Sequence, residues 1–116
     1  MDGWGQPKTR VDPELRRTVH GWILENYRAE KPEGKPQPAG PPAAERLEEV
    51  RVPVLVMVGD ADEAGTVAGG RHLAASIDGA ELVEFPGVAH MIHLEEPERF
   101  NRLVLDFLGA LTPAAR

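Results

Sequence analysis

Between Leu15 and Tyr27 the apolar residues Leu15, Val19, Trp22, Ile23 and Tyr27 recur at helical intervals, predicting one amphipathic helix over roughly 13–29. Asp12-Pro13-Glu14 supplies its start: a capping side chain, a proline at the first helical position, and an acid near the positive end of the helix dipole. Lys31 to Pro42 (KPEGKPQPAGPP) breaks the period with five prolines and two glycines in twelve residues. Proline cannot donate to a helix or strand ladder, so this stretch is a linker or loop, extended in part. Ala43 to Val50 predicts a short helix.

After residue 50 the pattern changes. Pro53 to Val58 is a continuous, largely β-branched apolar run ending at Gly59, the mark of a strand buried on both faces. Thr66 to Ile77 predicts a helix, weakened by Gly69 and Gly70, and Asp78-Gly79 a turn. Ala80 to Phe85 predicts a second strand and Pro86 to Glu95 a loop. Glu96-Pro97-Glu98 opens a last helix with Phe100, Leu103, Val104, Phe107, Leu108 and Leu111 on one face. A helical crossover between neighbouring strands makes them parallel and the connection right-handed. The expected fold class is therefore α/β, with residues 1–50 as a helical, proline-linked segment and 51–116 as a β-α-β-loop-α unit.

The 116 residues are a one-domain length, and the 41% hydrophobic content is concentrated after residue 50. The absence of cysteine excludes a disulfide framework and thiolate metal sites. Met1 to Gln6 lacks a signal-peptide pattern, and the longest apolar run, Val54 to Val58, is too short for a bilayer, so a cytoplasmic protein with no membrane partner is expected. Residues 1–51 balance nine Lys and Arg against nine Asp and Glu. Residues 52–116 hold four against ten and carry the whole net charge of −6, which leaves no basic face for nucleic acid.

Two polar residues stand out against this frame. Parallel strands finish at one edge of their sheet, where ligands of open α/β sheets gather. Asp62 lies four residues past Val58 and His90 five past Phe85, so both should emerge at that edge. A carboxylate there can accept the imidazole Nδ1–H and fix the tautomer, freeing Nε2 to take a proton from a nucleophile.

The segment Val52-Pro-Val-Leu-Val-Met-Val-Gly59-Asp-Ala-Asp62 resembles the α/β-hydrolase strand that ends in Gly-x-x-Asp and delivers a catalytic acid. Phe85-Pro-Gly-Val-Ala-His90 resembles the same family's histidine loop, and Glu95-Glu-Pro97-Glu-Arg-Phe100 the start of its last helix. The resemblance covers about residues 50–111. It implies that Asp62 is the acid and His90 the base of a catalytic triad acting on an ester, amide, lactone or similar carbonyl substrate, with no cofactor. Family order places a nucleophile on a Gly-x-Ser-x-Gly elbow before the acid. No such elbow exists here, nor the family's oxyanion-hole loop; the one serine, Ser76, follows the acid strand. Residues 1–50 fall where the family inserts a lid. The expectation is a truncated C-terminal piece, inactive alone and engaging a small-molecule substrate only when complemented by the missing N-terminal part. The alternative is a non-catalytic binding module that keeps this part of the fold. In either case unpaired sheet edges favour self-association.

Other residues admit plainer readings. Asp60 is the substitute acid if the loop register differs. His90 and His93 form a His-x-x-His spacing, but a metal site needs a third placed ligand, so no metal is assigned. Gly65 to Gly70 (GTVAGG) lacks the spacing of a phosphate loop. Trp4, Trp22 and Tyr27 could line a lid pocket, though Trp22 fits core packing better. Glu95 and Glu96 could serve as catalytic acids, but helix capping and dipole complementarity explain them more simply.

Overall fold

The computed structural model describes residues 11–29 and 34–111. Trp4, the leader reading of the first residues, and the opening of the proline-rich stretch lie outside the described residues. The elements are α1 (Pro13–Arg28), β1 (Leu55–Gly59), α2 (Ala64–Ser76), β2 (Glu81–Phe85), α3 (Ile92–Glu95) and α4 (Pro97–Ala110). Two single 3₁₀ turns, Ala43–Glu45 and Leu47–Glu49, precede β1.

β1 and β2 pair in parallel, in register from Leu55 opposite Glu81 to Gly59 opposite Phe85, so both strands stop level with each other. α2 covers one face of this sheet. At Gly70 an added Cβ would make ordinary van der Waals contact with Val58 and Val56, at 3.5 and 3.6 Å. Strand side chains alternate, so Met57 and Val83 face the other way. There Phe85, Val88 and Ile92 form a buried cluster with Met57 and Val83, and with Phe100 and Leu103 of α4. The Arg99 guanidinium lies 4.2 Å from the centre of the fully buried Phe85 ring, adding a cation–π contact to that core. Arg71 of α2 bonds Glu84 of β2 at 2.7 Å, tying the crossover helix to the strand that follows it.

α1 is capped as its sequence dictates: Asp12 Oδ1 accepts the amides of Glu14 and Leu15 at 2.9 and 3.0 Å. It packs through a narrow line. Val19 is buried with Val11 and Ala89, and Leu15, Ile23, Met91 and Leu94 lie against them. Trp22, expected in the core, is 55% exposed, and Tyr27 is 83% exposed. The reason is what α1 rests on: the small Val88–Leu94 segment rather than a sheet, which accepts only the 15–19–23 row.

The helix expected at 43–50 is instead the pair of 3₁₀ turns. Arg46, with φ of −132°, ends the first and begins the second. Its guanidinium grips Glu49 at 2.6–3.1 Å, and these hydrogen bonds hold that carboxyl below its ordinary range. The loop expected over 86–95 contains α3, a single turn that carries Ile92 into the core. Among the described residues no helix is long and apolar enough to cross a membrane.

Candidate active site

Two chain segments leave the same edge of the sheet and are stitched together there. Beyond β1, the Asp60 amide donates to the Phe85 carbonyl at 3.1 Å, continuing the ladder by one bond. The Ala61 amide donates to the Val88 carbonyl at 2.9 Å, and the Asp62 amide to the Gly59 carbonyl at 3.2 Å. Beyond β2, the Val88 amide turns back to the Phe85 carbonyl at 3.2 Å. Gly87 sits inside that turn at φ of +63°, a conformation glycine adopts without steric cost. Gly59 is required for a different reason. A Cβ at Gly59 would fall on the carbonyl oxygens of Val88 and Ala89, so the histidine loop lies directly on its backbone.

This stitching brings together the two residues singled out from the sequence. His90 Nδ1 is 2.7 Å from Asp62 Oδ2, across 28 positions of chain. The Asp62 side chain is 4% exposed, that of His90 56%. A buried carboxylate is tolerable only when its lone pairs are engaged. Here Oδ1 accepts the Glu63 amide at 2.7 Å while Oδ2 faces the ring. An ionised carboxylate can only accept, so Nδ1 carries the proton and donates it. Nε2, on the opposite side of the ring, is then a base on a largely exposed imidazole. The pair can accept a proton at Nε2, stabilise the resulting imidazolium and release the proton again.

The remaining polar candidates go elsewhere. The Asp60 carboxylate, the substitute acid, accepts the Gly87 amide and does not hold His90. Glu95 does not cap a helix: its Oε2 accepts the Ala89 amide at 3.0 Å. Glu96 stands at the start of α4 but its side chain caps nothing there; its oxygen lies 3.9 Å from Arg99. His93 rests against Phe100, ring centres 5.8 Å apart. Gly65 to Gly70 forms the first turns of α2, not a phosphate loop. Ser76 ends α2, at the opposite edge of the sheet from His90, with its Oγ 3.5 Å from His72 Nε2. Sequence reasoning missed the roles of Asp60 and Glu95. Their partners are backbone amides, which carry no residue-type signal.

A cavity of about 380 Å³ lies behind the loop between α1 and α3, lined in part by Val11, Leu15, Val88, Leu94 and Glu95. Neither Asp62 nor His90 borders it, so it is not placed to hold a reacting group.

No family model matches the sequence. The chain is 36% identical over 101 residues to 2-hydroxy-6-oxononadienedioate/2-hydroxy-6-oxononatrienedioate hydrolase 2 of Pseudomonas putida, a match covering 87% of this chain and 34% of that one. The chain thus spans about a third of the length of the curated relatives it matches first. Among solved structures, the enol-lactonase from Burkholderia xenovorans LB400 is similar at 38% identity and a TM-score of 0.53, over 57% of this chain and 25% of that one. The carboxylesterase CesB (YbfK) from Bacillus subtilis superposes over 95% of this chain and 40% of its own, with a TM-score of 0.61; at 24% identity it speaks for the fold alone.

Proposed function

The chain belongs to the α/β-hydrolase superfamily, corresponding to the C-terminal part of its members, and from that premise we propose that it supplies the acid and the base of a serine-type hydrolytic reaction on a carbonyl substrate. Asp62 is the acid and His90 the base. The observation that carries this reading is the 2.7 Å contact between a buried carboxylate and a half-exposed imidazole at the end of paired parallel strands.

In the reaction, a serine hydroxyl provided by polypeptide outside these 116 residues attacks the substrate carbonyl. His90 Nε2 takes the hydroxyl proton as the new C–O bond forms. Asp62 stays ionised, keeps Nδ1–H oriented and steadies the imidazolium. His90 then gives its proton to the departing group, and a water molecule deacylates the serine by the same two transfers. An ester, amide or lactone satisfies this chemistry. The names of two relatives, one a 2-hydroxy-6-oxononadienedioate hydrolase and one an enol-lactonase, support a carbonyl substrate, and of the two only the second names a lactone. We place the reaction in the cytoplasm.

A chimaera tests this reading. The corresponding third of the Pseudomonas relative is replaced by this chain, and p-nitrophenyl ester hydrolysis and fluorophosphonate labelling are measured. The chain by itself should neither hydrolyse nor label, whereas the chimaera should do both. His90→Ala in the chimaera should cost about 10⁴-fold in kcat. Labelling of Ser76 in the lone chain, or a chimaera indifferent to His90→Ala, would refute the assignment.

A further inference from the structure

We propose that Asp60 and Glu95 are positioning residues: a two-carboxylate clamp that sets where His90 presents its ring to Asp62. The clamp closes from both sides of one short loop. From the β1 end, Asp60 Oδ1 accepts the Gly87 amide. From α3, Glu95 Oε2 accepts the Ala89 amide at 3.0 Å. Between them the Val88 amide and carbonyl are taken by Phe85 and Ala61, and the Val88 side chain is fully buried. Each donor from Gly87 to Ala89 therefore has a partner, and two of those three partners are carboxylates drawn from separate elements.

The Ala89 amide is the decisive one. Ala89 is buried under α1, so without Glu95 its N–H would lose its partner away from water. A buried donor stranded in this way is costly, and the loop would shift to find another acceptor. Ala89 immediately precedes His90, so such a shift is passed straight to the imidazole. A hydrogen bond of 2.7 Å to a buried carboxylate tolerates little displacement, since catalytic groups need placement to within about 0.5 Å. Glu95 thus acts on His90 through the backbone, as does Asp60 from the other side, and neither is a catalytic residue. Hydrogen bonding to a carboxylate is the stronger, charge-assisted kind.

The purpose of the clamp rests on the reading of His90 as a base, but its existence can be tested without any turnover. The full chain is labelled with ¹⁵N. Amide exchange at Gly87 and Ala89 and the tautomer of the His90 ring are then measured by nuclear magnetic resonance. Glu95→Ala should accelerate exchange at Ala89 about tenfold, and Asp60→Ala at Gly87 likewise. Both should lower the population of the Nδ1–H tautomer, while amides of the β1–β2 ladder exchange as before. Glu95→Gln and Asp60→Asn keep an acceptor oxygen and should restore both signals. Leu103→Ala, which loosens the core under the loop, should accelerate ladder and loop amides together.

The proposal is overturned if Glu95→Ala leaves Ala89 and His90 unchanged, or if Gln fails exactly where Ala fails. It is equally overturned if ladder and loop amides accelerate alike in the carboxylate variants, or if Ala89 is unprotected in the unaltered chain. Should Glu95→Ala lose its helical circular dichroism, Glu95→Met, which fills similar volume without the carboxylate, takes its place against Glu95→Gln. A chimaera without activity but with these exchange patterns intact would count against the reaction and not the clamp.

Discussion

Asp62 can only accept hydrogen bonds, and that restriction dictates the state of His90. Its Oδ2 meets Nδ1, so the neutral ring must carry its proton there. An asparagine at the same place can turn its NH₂ toward Nδ1 and force the proton onto Nε2. Asp62→Asn should therefore invert the tautomer of neutral His90 in the lone chain, read from its ¹⁵N ring shifts, and reduce kcat of the chimaera by about 10⁴-fold. An unchanged tautomer would mean that Asp62 does not control the ring. Gly59 carries a second constraint at this scale. With two backbone carbonyls where its Cβ would go, Gly59→Ala should cost about 3 kcal/mol or more in a denaturant titration, and should displace the histidine loop. Asp62 and His90 were legible in the sequence because each lies a few residues past the end of an easily recognised strand, at an offset that topology turns into proximity. The sequence also offered Asp60 as an acid, and it took the contact with Gly87 to distinguish the two. Glu95 looked like a helix-start acid because its amide partner has no side-chain signature.

At the scale of elements, the β1–α2–β2 unit was readable from its pattern, and the structure keeps its order and parallel pairing. A five-residue apolar run followed by a helical stretch and a second strand leaves few alternatives. The elements misjudged were short ones, whose form is set by neighbours. Residues 43–50 contain good helix formers, yet Pro42 before them and Pro53 after leave too little length for a stable helix, and two 3₁₀ turns result. α3 exists because Ile92 must enter the core and Glu95 must reach back to Ala89; neither demand appears in local propensity. Within α2 the adjacent glycines Gly69 and Gly70 differ. Gly70 faces Val56 and Val58 of the sheet, whereas Gly69 has open space where a Cβ would go. Gly69→Ala should therefore stabilise the chain by about 0.5–1 kcal/mol, through helix propensity alone. A thermal or urea unfolding midpoint that falls instead would show that α2 is contacted at Gly69 by something not evident in this structure.

At the scale of the whole molecule, the described residues bury two small clusters, one between a two-stranded sheet and α4 and one between α1 and the histidine loop. A sheet of two strands has two outer edges, and each presents backbone donors and acceptors, along the apolar β1 and along β2, which carries Glu81 and Glu84. Such pairs are marginal unless further strands or helices join them. Large apolar side chains are also left in solvent, among them Leu105 and Leu108 of α4 and Leu82 of β2. The expected outcome for the chain by itself is concentration-dependent self-association, measured by sedimentation velocity across a dilution series. Leu82 provides the control. It is 37% exposed, so a lysine there can keep its ammonium in water while placing a charge beside the open edge of β2. Leu82→Lys should move association to higher concentration and leave the helical circular dichroism unchanged. If association persists unaltered, the copies meet through the exposed leucines of α4, Leu105 and Leu108, and Leu105→Lys should abolish it. If the unaltered chain is monomeric at every concentration, neither the sheet edges nor the exposed leucines drive association.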